Sequence, residues 1–161
     1  MKKSLLGTGL AALLAATPAL GDGKIYVQLP DLSQYSGAAA EALLMQVVMA
    51  NVISGNCQDY AVTDEEWSLL VDSADILARG QLGLSIDDYD ELYYGPAFKA
   101  LDEKGICERE GPNVEAVLDQ LVELGGSREA LPDQDKAYQD WSAVQASWDA
   151  EPASTGKSKS K

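Results

Sequence analysis

The sequence contains no histidine among its 161 residues. That absence removes Ser-His-Asp and Cys-His catalysis, imidazole zinc sites and imidazole haem ligation from within the chain. Bases are also scarce: 12 Lys and Arg stand against 26 Asp and Glu, a formal charge of −14. A surface of this sign repels nucleic acid and anionic lipid, whose binding relies on Lys and Arg displacing counterions. A basic protein partner, a cation, or plain solubility remain as uses for the charge. Cysteine is limited to Cys57 and Cys107, with no CxxC spacing and no thioredoxin-like strand–helix–strand pattern. A phosphate-cradling loop is missing too. "LARGQLGLS" has glycines three apart, but no strand precedes it and no GK[ST] follows. Nothing in the sequence asks for a cofactor.

What is present begins with "MKKSLLGTGLAALLAATPALG": a basic start at Lys2 and Lys3, an apolar run from Leu5 to Ala16, then Pro18 and small residues. This is the layout of a secretory signal peptide over residues 1–21, cut after Gly21 or after Ala19. The run is too short for a comfortable membrane span, and no Cys marks a lipoprotein site. The short, Lys-led, Ala-rich form looks bacterial and points to the periplasm or the medium, with no stable membrane insertion after cleavage. Removing residues 1–21 removes two lysines and no acids, so the charge becomes 10 − 26 = −16. In an oxidising compartment Cys57 and Cys107 are expected to pair as a disulfide. Closing a loop of fifty positions stabilises by roughly 4 kcal/mol in the chain-entropy treatment.

The mature chain reads as an extended arm over 22–36, a helical domain over 37–149 and a disordered tail over 150–161. "KIYVQLP" forms the arm and ends at Pro30. The stretch 37–54, "GAAAEALLMQVVMANVIS", has only Glu41, Gln46 and Asn51 as strong polar residues. Their spacing leaves no polar face, which predicts a buried central helix stopped by Gly55. "VTDEEW" carries a capping box, Thr63 with Glu66, opening a helix with the stripe Trp67, Leu70, Val71, Ala74, Leu77 and Ala78. Leu69 and Ile76 project from its other side, to pack on another element or to face a partner. A further helix starts at Pro112 or Asn113 and ends at Gly125, and a last one starts near Asp133 with the seam Ala137, Trp141, Val144, Trp148. The fold class is therefore all-α: a single small bundle of about five or six short helices around a central apolar helix.

Carboxylates are the one plausible catalytic currency. Glu41, in an apolar helix, is the weak candidate for a raised pKa. Calcium-loop spacing fails at every acidic cluster. "DDYDELYYGPAF" from Asp87 puts Leu where the loop needs glycine, and "DQDKAYQDW" from Asp133 puts Tyr there. No metal site is assigned. "SIDDYDELYYGPAF" reads instead as a capped helix start. Ser85 and Asp88 form the cap, acids fill the first turns, and Ile86, Tyr89, Leu92, Tyr93 and Ala97 share one face. Gly95-Pro96 breaks or kinks it before Tyr94, Phe98 and Leu101. The second piece stops at Gly105, delivering Cys107 after a helix end.

The order of signal peptide, apolar helix, Asn56-Cys57, helix, "LGLS" at 82–85 opening an acidic helix, then Gly105 and Cys107 resembles the layout of small secreted two-cysteine helical proteins of alphaproteobacteria. The resemblance spans about residues 40–110 and implies fold and compartment; that group has no assigned activity. The sequence thus leads to a non-enzymatic periplasmic or secreted interaction or accessory protein. Its partner is an unidentified protein, a basic one being compatible with the acidic surface, and the partner-facing candidates are Leu69, Ile76, Tyr94, Phe98, Trp141 and Trp148. The alternatives are a carboxylate-dependent hydrolase acting on cell-wall glycan, and an acidic divalent-cation-binding protein.

Overall fold

The computed structural model describes residues 23–150; the signal-like segment 1–21 and the expected tail beyond Ala150 lie outside the described residues. A lone extended segment leaves its backbone groups to be satisfied by something else. Residues 24–31 meet that demand by running antiparallel to the connection at 124–131. Asp31 N–H donates to the Leu124 carbonyl at 2.9 Å, Ser127 N–H to Gln28 at 2.9 Å, and Leu131 N–H to Tyr26 at 2.8 Å. The Gln134 side chain completes the pairing, accepting from Tyr26 N–H and donating to its carbonyl, each at 2.8 Å.

Helix α1 (Gly37–Asn56) runs through the centre and past Gly55, where a stop was expected. Gly55 has room and an ordinary helical backbone. The chain leaves the helix at Cys57, whose N–H still reaches the Ile53 carbonyl at 2.8 Å. A short 3-10 turn (Gln58–Tyr60) leads to α2 (Asp64–Asp75). The α2 capping box forms as the sequence requires: Glu66 N–H donates to Thr63 Oγ1 at 3.2 Å and Thr63 N–H to Glu66 Oε2 at 3.0 Å.

The burial of α2 departs from its apolar stripe. Trp67 is 43% exposed, whereas Leu69, Ser68, Asp72 and Ser73 are buried beside Leu70 and Ala74. The helix lies between α1 on one side and the arm with the last helix on the other, so small polar residues enter the interior along with the leucines. A π-helical segment (Ile76–Gln81) continues it. Leu69 and Ile76 are therefore corrected from partner surface to packing: Leu69 is 0% exposed, and half-buried Ile76 packs on Tyr26, Ala137 and Trp141.

The stretch opening at Ser85 is helical from Ile86 to Ala100 as α3 (Ile86–Tyr89), a π-helical segment (Asp90–Tyr94) and α4 (Gly95–Ala100). Gly95-Pro96 neither breaks nor resets it. The wide π turn places Gly95 N–H on the Asp90 carbonyl, and Pro96 then falls in the first turn of α4, where a missing donor costs least. The expected Ile86–Leu92 face is corrected: both are exposed, while Tyr89 and Ala97 are buried.

Helix α5 (Ile106–Glu123) begins six residues before the expected start and carries Pro112 inside it. Gly105, at φ +76°, supplies the left-handed turn that lets α5 start directly after α4's closing turn. Pro112 removes the hydrogen bond to the Glu108 carbonyl at a point where both residues are exposed. Cys107 thus sits in the first turn of α5 and joins Cys57 at the end of α1, with Cα atoms 5.7 Å apart. Gly111 faces the ring of Tyr60, which a Cβ would approach to 2.1 Å. Gly111→Ala is expected to cost about 2 kcal/mol of stability by overpacking. Most of that loss should vanish in a Tyr60→Ala background; equal losses in both backgrounds, measured by thermal melting, would contradict this origin. Helix α6 (Gln134–Ala150) closes the described chain against the arm. The observed fold is the all-α, single-disulfide bundle that the sequence predicts, built on a core of α1, α2 and α5 side chains.

Candidate functional site

The apolar residues of α1 occur around its whole circumference, but its neighbours cover only part of it. Leu43, Leu44, Val47, Val48 and Ala50 are buried, while Ala38, Ala39, Glu41, Ala42, Met45 and Gln46 are exposed, Met45 at 59%. All-round apolarity therefore does not mean all-round burial, which corrects the expectation for this helix. By length and composition α1 could cross a membrane, yet half of its apolar window is buried in the bundle. What remains exposed is a strip at helical spacing, Ala38, Ala42 and Met45, continued by half-buried Met49, which packs against the core.

Met45 and Met49, the C-terminal half of this strip, lie on one wall of a groove of about 490 Å³ whose other wall is α5, with Met45, Met49, Ala50, Ala116 and Val117 as its apolar lining and Gln46, Glu110, Asn113 and Gln120 as its polar edge. Asn113 donates to Glu110 Oε2 at 2.9 Å, fixing that edge, and Arg109 lies 3.5 Å from the same carboxylate. The Cys57–Cys107 bond joins the C-terminal end of α1 to the N-terminal end of α5, so the helices run antiparallel and are clamped at one end of the groove. Such a disulfide marks an oxidising, extracytoplasmic environment. Glu41 is exposed on the opposite margin of the strip, near Tyr93, whose hydroxyl is pushed up first by burial and then by the Glu41 charge.

A second polar cluster lies inside. Tyr94 OH donates to Asn51 Oδ1 at 3.3 Å, and the Tyr89 and Tyr94 rings are 5.2 Å apart. Burial pushes both hydroxyls above the usual tyrosine range, with the Asp75 charge adding to it. Asp75 is itself raised from 3.8 to about 6, first by burial and then by Asp72, against the opposing pull of Lys24 and Arg79. Neither cavity described in this section is lined by Asp75. Because the folded state holds this proton more tightly than the unfolded chain, the cost is absent below about pH 4 and grows as pH rises to about 6. Asp75→Asn should therefore stabilise on the order of 2 kcal/mol at pH 7 and have little effect at pH 3.5. Urea unfolding at the two pH values checks this, and an equal effect at both would refute it.

The third arrangement is a cation held by the protein's own aromatics. The Lys24 ammonium pairs with Asp72 and lies 5.3 Å from the Tyr26 ring centroid and 5.5 Å from that of Trp141. A cavity of about 240 Å³ adjoins it, lined by Tyr26, Asp72, Ile76, Leu131 and Trp141 among others.

The sequence candidates separate accordingly. Trp141 is buried and Trp148 half-buried, in edge contact with each other at 5.6 Å. Trp148 also stacks under Arg79, at 5.4 Å, so the pair is corrected from partner surface to the packing of α6. Half-buried Tyr94 turns inward to Asn51, while Phe98 stacks on it and stays 53% exposed. Glu41, the weak catalytic candidate, is exposed on α1. The Met45–Met49 groove and Asp75 were missed. An absent polar face on a long helix was the available signal for the first; nothing in the periodicity of α2 marked the second. Compared with known proteins, the chain matches no family model, and no curated protein or solved structure shows significant similarity to it.

Proposed function

We propose that this is a non-enzymatic interaction protein of the bacterial periplasm or medium, which holds a partner protein against the exposed face of α1 and the groove beside α5. The supporting observation is the exposed Ala38–Ala42–Met45 strip, continued by half-buried Met49 into an apolar groove of about 490 Å³. Isolated exposed apolar residues are ordinary on a protein surface; a helical strip that continues into a groove is the form that helix-in-groove recognition takes. The signal-like leader, the disulfide and the resemblance to small secreted two-cysteine proteins support the compartment.

A photo-crosslinking residue at position 45, in protein exported by its native host, tests the reading. One adduct of defined mass is expected from position 45 and none from a control at Asp64 on α2. Absence of the adduct, or equal labelling at both positions, would defeat the docking reading.

A further inference from the structure

We infer that the occupant of the α1–α5 groove is a cationic amphipathic helix of another protein, about three turns long, laid along Ala38 to Met49. The inference rests on the docking reading and adds the chemistry of the partner. The strip spans eleven residue steps, about 16 Å at the rise of an α-helix, and so fits about three turns. Its N-terminal half is alanine, which lets a second helix backbone approach closely. Its C-terminal half is methionine, whose unbranched thioether adapts to apolar side chains of differing shape. A third helix resting between α1 and α5 would complete the packing that α1 lacks on this side.

Charge decides which helix. Residues 23–150 carry 24 Asp and Glu against seven Lys and Arg, a difference of 7 − 24 = −17. Among the described residues, five of those seven bases, Lys24, Arg79, Arg109, Arg128 and Lys136, are already in ion pairs with the protein's own carboxylates. Glu41 stands exposed at one margin of the apolar strip, and Glu110, already bonded by Asn113 and 3.5 Å from Arg109, at the other. A helix with an apolar face and lysine or arginine along its flanks would bury the first against Met45 and Met49 and set the second beside those carboxylates. A second copy of this chain would instead bring a like-signed surface, and an anionic bilayer would be repelled for the same reason. The chain's own lysine-bearing end, "EPASTGKSKSK", has no large apolar residue to place in the groove.

The test uses exported protein and three synthetic helical peptides of about 18 residues. All share one leucine face; the polar face is lysine, glutamine or glutamate. By calorimetry the lysine peptide should bind about tenfold or more tightly than the glutamine peptide, and the glutamate peptide should not bind. Raising salt from about 0.05 to 0.3 M should weaken the lysine peptide alone. Met45→Glu should weaken it about tenfold despite adding an attractive charge, with the melting temperature unchanged because Met45 is exposed.

Equal binding of the lysine and glutamine peptides, still abolished by Met45→Glu, overturns the cationic inference and keeps the docking reading. Binding unaffected or strengthened by Met45→Glu means diffuse adsorption and overturns the inference. Failure of every peptide alongside a persisting position-45 crosslink also overturns it. A dimeric mass in sedimentation with Met45 at the interface, or sedimentation with anionic phosphatidylglycerol vesicles, would assign the face to a second copy or to a membrane instead.

Discussion

Reduction of the Cys57–Cys107 disulfide is expected to lower the melting temperature by roughly 10–15 °C. The bond closes a loop with a sequence separation of 50 residues, for which restricting the unfolded chain is worth roughly 4 kcal/mol. Each kcal/mol moves the midpoint of a domain this size by about 3–4 °C. The effect has a local side as well. Cys57 ends α1 and Cys107 lies in the first turn of α5, so reduction frees the two walls of the groove from each other at one end. A Cys57→Ser/Cys107→Ser variant should melt where the reduced protein does and be indifferent to reductant. Calorimetric scans with and without dithiothreitol read both results. An unchanged midpoint would show that packing between α1 and α5 holds the two walls together without the bond.

The other large effect is at the buried end of the arm. Lys24→Ala should destabilise by about 3 kcal/mol at pH 7, because it removes the cation facing a carboxylate that is 1% exposed. Asp72→Ala should also be costly, and the double variant Lys24→Ala/Asp72→Ala should cost clearly less than the sum of the two. The sign with pH follows from which group is left behind. In Lys24→Ala, Asp75 loses the opposing pull of Lys24 and is held further above its ordinary value, so the deficit against the wild type narrows as pH falls toward 4. Denaturant unfolding of the four proteins at two pH values gives the coupling; additive losses would mean the pair acts as two independent surface charges. The pair matters to the architecture because Lys24 also lies against Tyr26 and Trp141, tying the arm to α2 and α6 at once.

Local punctuation was the most legible part of the sequence. The capping box at Thr63, the Ser85 cap, the left-handed Gly105 and the glycine at the end of α5 are each set by residues within four positions of one another. What misled was inference from one helix to its surroundings. Pro112 suggested a helix start, because from the chain alone its lost hydrogen bond looks decisive; Gly105 had already begun the helix upstream. Trp141 and Trp148 resembled an anchor seam, because the arm that covers them is distant in sequence. Asp72 and Asp75 went unmarked, because nothing local says that α2 is enclosed by α1 on one side and by the arm and α6 on the other. The α1 strip was hidden by the opposite error. Its even apolarity was taken for burial, when the elements among the described residues are too few to enclose it.

The central claim, that α1 offers an apolar docking face, can be read from two side chains. The sequence has three methionines, Met1, Met45 and Met49, and the last two line the groove. Exported protein labelled with carbon-13 at the methionine methyls should give two signals. Both should broaden with a soluble paramagnetic agent in the free protein, and both should shift and become protected when the lysine-faced peptide is added. Methyl signals unmoved by a peptide that calorimetry shows to be bound would place the interaction elsewhere and contradict the account.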